Sequence, residues 1–172
     1  MMQEVLISDN LERDLTHAIN VCSPDKLFVL TDKTTREHCW PKIEGFDCVK
    51  GAKLITIPST DEHKNIATLA MVWEMLSEQE GTRRSCLINL GGGMVTDLGG
   101  FAAATFKRGI SFINIPTTLL AMVDAAVGGC TEPRLHHCTP AWVTRVKLCL
   151  KKKKKKKEKK TMPGRSALYK HS

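Results

Sequence analysis

Five short apolar runs rich in β-branched residues alternate with helical patterns along the first 116 residues. The runs occupy residues 5–8, 27–31, 53–57, 86–90 and 112–115. Runs of this length and composition predict buried strands. Strands that alternate with helices over short links predict a parallel sheet covered by helices. We therefore predict an α/β fold with a mostly parallel sheet and helices on both faces.

Two helical patterns stand out because their apolar residues recur on one face. The first is expected to begin at Ser59, since Ser59 and Glu62 form an S-x-x-E capping box. The second follows three consecutive glycines, and both spacings are typical of amphipathic helices. The first face comprises Ile66, Leu69, Trp73 and Leu76, and the second comprises Met94, Leu98, Phe101 and Thr105.

The stretch LINLGGGMVTDLGGFAAA, residues 87–104, places Gly91, Gly92 and Gly93 between a strand and a helix. Glycine lets backbone N–H groups approach a ligand closely, and a helix N-terminus attracts anions. The turn is therefore consistent with a phosphate cradle. It is equally consistent with a tight strand-to-helix turn and a capping Asp97, because the spacing is not the G-x-G-x-x-G fingerprint.

Several polar residues and glycines follow predicted strands or begin the next helix. Parallel strands end at the same edge of a sheet, and ligands bind at that edge in open α/β folds. Each residue alone is typical of a helix cap or a solvated charge, but the shared position predicts a site. The set comprises Asp32, Asp61, Lys64, Gly92, Gly93, Thr117 and Thr118.

The excess positive charge is confined to the last quarter of the chain. The 172 residues carry a net charge of +8. Residues 1–130 hold 12 Lys and Arg against 16 Asp and Glu, whereas residues 131–172 hold 14 against 2. The lysine block at 151–160 predicts a disordered tail that binds polyanions electrostatically. The body is expected to be a mildly acidic domain.

The cysteines and the hydropathy of the chain indicate the cellular compartment. The seven cysteines are an odd number without a C-x-x-C pair, which predicts free thiols in a reducing cytoplasm. No signal peptide is recognisable. The least polar long stretch, residues 109–129, is interrupted by Asn114, Pro116 and Asp124, so we expect no membrane span.

The stretch GGGMVTDLGGFAAATFKRGISFINIPTTLLAMVDAAVGG, residues 91–129, closely resembles the 3-dehydroquinate synthase family of the shikimate pathway. PSTDEHKN at 58–65 and VLTDKTT at 29–35 are similar to other segments of that family. The resemblance covers about residues 1–129. It implies a Rossmann-like NAD-binding α/β domain at 1–129 and a non-homologous, disordered Lys-rich tail at 130–172.

The resemblance also implies an activity. The family makes 3-dehydroquinate in aromatic amino-acid biosynthesis, as a carbon–oxygen lyase that uses NAD and a divalent metal, zinc or cobalt. Its substrate is a phosphorylated seven-carbon keto-acid sugar. NAD transiently oxidises one alcohol, phosphate is eliminated, and the product cyclises. A cytoplasmic homodimer is expected for the full-length family.

Carried over by motif, the resemblance implies a cofactor site and two substrate contacts. Asp124 is expected to contact substrate. Arg108 is expected to reach the substrate phosphate from a neighbouring subunit, because guanidinium presents a fixed fork of donors. The cofactor contacts are Asp32 and Thr34 near adenosine, Asp61 and Lys64 at ribose or phosphate groups, the backbone of Gly92, Gly93 and Met94 at the pyrophosphate, and Asp97, Thr117 and Thr118 around them.

The sequence departs from the family pattern after residue 129. Cys130 stands where the family has a ligand-contacting lysine, and beyond residue 131 no match is found. The helical domain that carries one glutamate and two histidines as metal ligands is missing, so we expect an inactive fragment. The tail resembles the translated end of an Alu-type repeat with its poly-A run. The tail residues His136, His137 and Cys138 lack the spacing of a substitute metal site.

Two alternative functions remain open from the sequence. A non-enzymatic polyanion-binding fusion would depend on the lysine block. A polyol dehydrogenase-like NAD enzyme would share the glycine turn, although glycerol-dehydrogenase-like enzymes do not share the RG, PTTLL and VGG series.

Overall fold

The computed structural model describes residues 4–59, 65–122 and 145–150. These residues form one six-stranded sheet in the order β1-β6-β5-β4-β2-β3, and every pair is parallel. The five strands predicted from the sequence are confirmed. The strands are β1 (Glu4–Ser8), β2 (Leu27–Asp32), β3 (Lys53–Ile57), β4 (Cys86–Gly91), β5 (Ser111–Pro116) and β6 (Arg145–Leu150).

Four α-helices connect the strands in the described part of the chain. They are α1 (Leu11–Cys22), α2 (Lys33–His38), α3 (Ile66–Glu78) and α4 (Gly93–Thr105). Short 3₁₀ turns lie at Trp40–Lys42, Asp47–Val49 and Phe106–Arg108. Side chains at Asn10 and Asn65 accept hydrogen bonds from Arg13 N and Thr68 N, which satisfies orphan donors at the starts of α1 and α3.

The sheet buries an apolar layer on each face. One layer packs Phe28, Leu30 and Leu87 against α3 and α4. The other packs Val29 and Ile88 with Leu15 of α1. Neighbouring strand residues point to opposite faces, so a continuous apolar run supplies both layers. The prediction of helices on both faces is confirmed.

The helix predictions need two corrections. Helix α3 begins at Ile66 with Asn65 as its N-cap, not at Ser59. Ile66 is 79% exposed and Phe101 is 57% exposed, although both were expected on buried faces. Helix α4 instead buries Val95, Gly99 and Ala102, with Ala103. Small residues bring this helix close to the sheet, and the bulky Phe101 is left outside.

Residues 145–150 correct the expectation of an unstructured tail. They form β6, which pairs with β1 on one side and β5 on the other. The sequence RVKLCL places apolar residues at 146, 148 and 150, a period of two that suits a strand. The neighbouring lysine block at 151–160 lies outside the described residues.

Neither a membrane span nor a disulfide occurs in the described part of the chain. None of its helices is long and apolar enough to cross a bilayer. Cys22, Cys39, Cys48 and Cys86 are free, and Cys86 is the buried one among them.

Candidate functional site

The carboxyl ends of β5, β4 and β2 lie side by side and carry most of the described candidate residues. Gly91 ends β4 in register with Pro116, the last residue of β5. Thr117 N donates to the Gly91 carbonyl at 2.9 Å, which ties the two strand ends together. The structure therefore brings Gly92, Gly93 and Met94 beside Thr117 and Thr118, as predicted.

Helix α4 begins in this edge without a side-chain cap. Its N-cap is Gly92, with extended φ −77° and ψ −168°, and no side chain there accepts from the first-turn amides. The first N–H groups of a helix have no partner within the helix, and they carry a partial positive charge. An uncapped start facing the ligand edge of a parallel sheet is suited to an anion such as a phosphate.

Thr118 lies directly against Gly92. A Cβ at position 92 would lie 3.2 Å from Thr118 Cγ2 and 3.5 Å from its Oγ1. The Thr118 hydroxyl in turn accepts from Ala121 N at 3.2 Å. Glycine at 92 therefore lets the turn after β5 approach the start of α4.

Asp32 ends β2 and caps α2. Its Oδ1 accepts from Thr35 N at 2.7 Å, and the Thr35 hydroxyl accepts from Asp32 N at 3.1 Å. This is a reciprocal capping box. Thr34 is exposed in the first turn of α2. Both residues lie at the predicted edge, and Asp32 has a structural role there.

Asp97 faces a groove between α3 and α4. This groove has a volume of about 360 Å³ and is mostly apolar. Asp61 and Lys64, which precede Asn65, lie outside the described residues, as does Asp124. The described lining residues are Asn65, Ile66, Leu69, Asp97, Leu98 and Phe101.

Arg108 lies far from the glycine turn within this chain. It follows the opposite end of the 13-residue α4, about 20 Å away at 1.5 Å per residue. Lys107 and Arg108 both adopt positive φ, 46° and 70°, and Gly109 follows at 108°. Lys107 Nζ donates to the Gly81 carbonyl at 2.6 Å, which holds this strained turn while Arg108 stays exposed.

Metal ligation has no support in the described residues, where no three His, Cys, Asp or Glu side chains are placed to hold an ion. His136, His137 and Cys138 lie outside them. No step through a metal is derived for this chain.

Two polar features near the glycine turn at 91–93 were not predicted from the sequence. Thr96 Oγ1 donates to the carbonyls of Gly92 and Gly93, each at 3.2 Å. Asn89 and Asn114 are buried neighbours on β4 and β5, and Asn89 Nδ2 donates to Asn114 Oδ1 at 2.8 Å. The sequence feature that could have indicated this pair is an asparagine inside each of two apolar runs, LINL and FINI.

A family model and curated relatives of this chain indicate the same family. The model of the 3-dehydroquinate synthase N-terminal family matches residues 54–137. A 3-dehydroquinate synthase of Parabacteroides distasonis is 48% identical over 129 residues, which are 75% of this chain and 36% of the relative. One of Pyrococcus furiosus is 41% identical over 117 residues, which are 68% of this chain and 35% of the relative. The chain thus spans about a third of these relatives.

Solved structures share the fold. A 2-epi-5-epi-valiolone synthase from Streptomyces hygroscopicus, with NAD⁺ and Zn²⁺ bound, superposes with a TM-score of 0.69 at 21% identity, over 87% of this chain and 43% of its own. A 2-deoxy-scyllo-inosose synthase with NAD⁺ and Co²⁺ gives 0.68 at 18%, over 86% and 42%. These likenesses confirm a Rossmann-like α/β fold. Through residues 54–137, this chain belongs to the 3-dehydroquinate synthase family.

Proposed function

We propose that this chain supplies the NAD-binding half of a 3-dehydroquinate synthase. The observation that carries the proposal is the uncapped start of α4 at Gly92, placed at the carboxyl edge of a parallel sheet in a chain of this family. A dinucleotide pyrophosphate is an anion that such a helix start accepts. Solved relatives of this fold were crystallised with NAD⁺.

The described residues fit the cofactor by position. The amides at residues 92–94 are proposed to hold the pyrophosphate. Asp32 and Thr34 are proposed to contact the adenosine side, from the end of the adjacent strand β2. Thr117, Thr118 and Asp97 are proposed to complete the site. Asp61 and Lys64 are assigned to ribose or phosphate groups on the resemblance alone.

Bound NAD would supply the transient oxidation of one substrate alcohol. The chain's own residues would orient the substrate, a phosphorylated seven-carbon keto-acid sugar. Asp124 is proposed to contact it. Arg108 is proposed to bind its phosphate in a neighbouring subunit of a homodimer. The distance of Arg108 from its own glycine turn, and its exposure on a strained turn, support this assignment.

We further propose that the NAD-binding segment ends near residue 129, with β6 at 145–150 added to the same sheet, and that the location is cytoplasmic. Zinc or cobalt is implied by the family resemblance, which places the metal ligands outside the matched residues. The polypeptide of residues 1–172 is accordingly expected to bind NAD and to form no 3-dehydroquinate alone.

Calorimetric titration of the 172-residue chain with NAD tests the proposal. We expect saturable binding with one site per chain. A parallel assay with the phosphorylated sugar acid and NAD should yield no 3-dehydroquinate. A folded chain that binds no NAD would contradict the site assignment, and product formation without another subunit would contradict the inactivity.

A second proposed activity concerns the basic tail. Residues 131–172 carry 14 Lys and Arg against 2 Asp and Glu. We propose that the block at 151–160 binds polyanions without sequence preference. Deleting residues 150–160 should weaken nucleic-acid binding and flatten its dependence on salt. An unchanged affinity and salt slope would refute this role.

A further inference from the structure

Helix α4 rests on the sheet at a position where no side chain fits. A Cβ built at Gly99 would lie 2.0 Å from Asn89 Oδ1, 2.5 Å from Asn89 Cγ and 2.8 Å from Leu30 Cδ2. Such distances are far inside van der Waals contact. Any other residue at 99 therefore requires that either the helix or the asparagine move.

Asn89 is the less movable partner. It is fully buried in the central strand β4, and its Nδ2 is held by Asn114 Oδ1 at 2.8 Å on the adjacent strand β5. Its Oδ1 is buried and finds no hydrogen-bond partner among the described residues. The amide thus presents an oxygen to the Gly99 backbone, and close-packed interiors transmit a local expansion to the neighbouring element.

A displaced α4 would carry the glycine turn with it. Gly99 lies six residues beyond Gly93 in the same helix, about 9 Å along the axis. We propose that Asn89 and Gly99 are a matched pair of positioning residues. Because Gly99 has no side chain, α4 packs directly on Asn89. This contact determines where the amides of residues 92–94 lie. The consequence for cofactor affinity rests on the proposed function.

The adjacent glycine provides a matched control. A Cβ at Gly100 would meet Phe112 at 3.6 Å and 3.7 Å, an ordinary contact. Gly100→Ala therefore adds the same methyl group to the same helix without pressing on Asn89. Alanine is also the better helix former, so this variant should be at least as stable as the unchanged chain.

The test compares five forms of the 172-residue chain: unchanged, Gly99→Ala, Asn89→Ala, Asn89→Ala/Gly99→Ala and Gly100→Ala. The readouts are the ¹H–¹⁵N amide shifts of Gly92 and Gly93, the unfolding midpoint, and the NAD dissociation constant. Gly99→Ala should displace both amide signals and weaken NAD binding by about tenfold to a hundredfold, the effect of losing one hydrogen bond to a charged group.

The double variant distinguishes this pair from general damage to the helix. Removing the Asn89 side chain leaves Leu30 Cδ2, the end of a flexible side chain, as the remaining short contact. The amide signals and NAD affinity should therefore return toward those of the unchanged chain. The midpoint is compared with that of Asn89→Ala, because both variants leave the buried Asn114 Oδ1 without its donor. Gly100→Ala should leave the amide signals in place.

Unchanged Gly92 and Gly93 signals in Gly99→Ala would overturn the inference. So would a double variant whose amide signals are no closer to those of the unchanged chain than the signals of Gly99→Ala. If Gly99→Ala fails to fold, recovery of a folded double variant supports the pair, and failure to recover overturns it. If the unchanged chain does not bind NAD, the proposed function is contradicted. The amide signals and midpoints would still test whether Asn89 and Gly99 position α4.

Discussion

Helices α2 and α4 begin at the same edge of the sheet, after the adjacent strands β2 and β4, but their starts differ. The start of α2 is closed by Asp32 and Thr35, whose side chains and amides satisfy each other. The start of α4 is Gly92, which offers no side-chain acceptor. An N-cap aspartate is worth about 1 kcal/mol relative to alanine.

On the proposed function, the difference assigns stability to the start of α2 and binding to the start of α4. The capping box of α2 uses the amides of Asp32 and Thr35 internally. Among the described residues, no side chain caps the start of α4, where Thr118 and the turn after β5 crowd the backbone. Stabilisation at the start of α4 is thereby left to a ligand, which would stabilise the folded chain by mass action.

A capping side chain at the start of α4 should have the largest effect, a loss of NAD affinity. Gly92 has a φ and ψ that any residue adopts, so Gly92→Asp is expected to cap α4 as Asp32 caps α2. The new carboxylate would occupy the amides and repel a pyrophosphate. We expect NAD affinity to fall at least about a hundredfold, near 2.7 kcal/mol. The unfolding midpoint should change little, because the new cap offsets the crowding of Thr118 by a Cβ at 92. Calorimetry and thermal unfolding measure the two effects.

Gly92→Asn is the matched control for that experiment, because it caps without charge and crowds Thr118 equally. It should weaken NAD binding less than Gly92→Asp does. Equal NAD affinity in Gly92→Asp and the unchanged chain would show that the open start of α4 is not the cofactor site.

Removing the side-chain cap of α2 should have an intermediate effect, a loss of folding stability. Asp32→Ala removes the bond from Thr35 N to Asp32 Oδ1 and keeps the one from Asp32 N to the Thr35 hydroxyl. It should lower the free energy of unfolding by about 1 kcal/mol, measured by urea titration. Asp32→Asn keeps a cap acceptor and should retain most of that stability. NAD affinity in Asp32→Asn then reports the proposed adenosine contact separately. A stable Asp32→Ala would contradict the structural role.

The smallest effect on stability is expected at Asp25, which precedes β2 at the opposite edge of the sheet. The Thr82 hydroxyl, with a weaker contribution from Ser85, holds the pKa of Asp25 below its ordinary value. A lowered folded-state pKa contributes stability above the unfolded pKa, and this is lost as the pH falls through the folded value. Thr82→Val should therefore flatten the loss of stability below about pH 4, and Thr82→Ser should preserve it. Because Asp25 is exposed, the change should be small.

NAD affinity at neutral pH should be the same in Thr82→Val and the unchanged chain. A matching loss of affinity would mean that the two edges are coupled, contrary to the account given for the start of α4.

The sequence predicted the strands well because each is a short apolar run, and β2, β4 and β5 are buried on both faces. Helix orientation was less predictable. Ile66 and Phe101 fit the helical period, but the sheet accepts the small-residue side of α4 and the Leu69 side of α3. Strand β6 was missed because a six-residue alternation beside a lysine block resembles a charged tail.

The positions of candidate residues were predictable where they follow strand ends, as Gly92, Thr117 and Thr118 do. The pairing of Asn89 with Gly99 was not, because it depends on the distance between a helix and a strand. No spacing within either segment encodes that distance. The same limit applies to Arg108, whose separation from the glycine turn appears once α4 is seen to run antiparallel to the strands.

Titration of ¹⁵N-labelled chain with NAD, followed through backbone amide shifts, tests the central claim most directly. The account predicts the largest shifts at Gly92, Gly93 and Met94, with smaller ones at Thr117 and Thr118. Absence of shifts at residues 92–94 in a folded chain, or shifts confined to the lysine block at 151–160, would contradict a cofactor cradle at the start of α4.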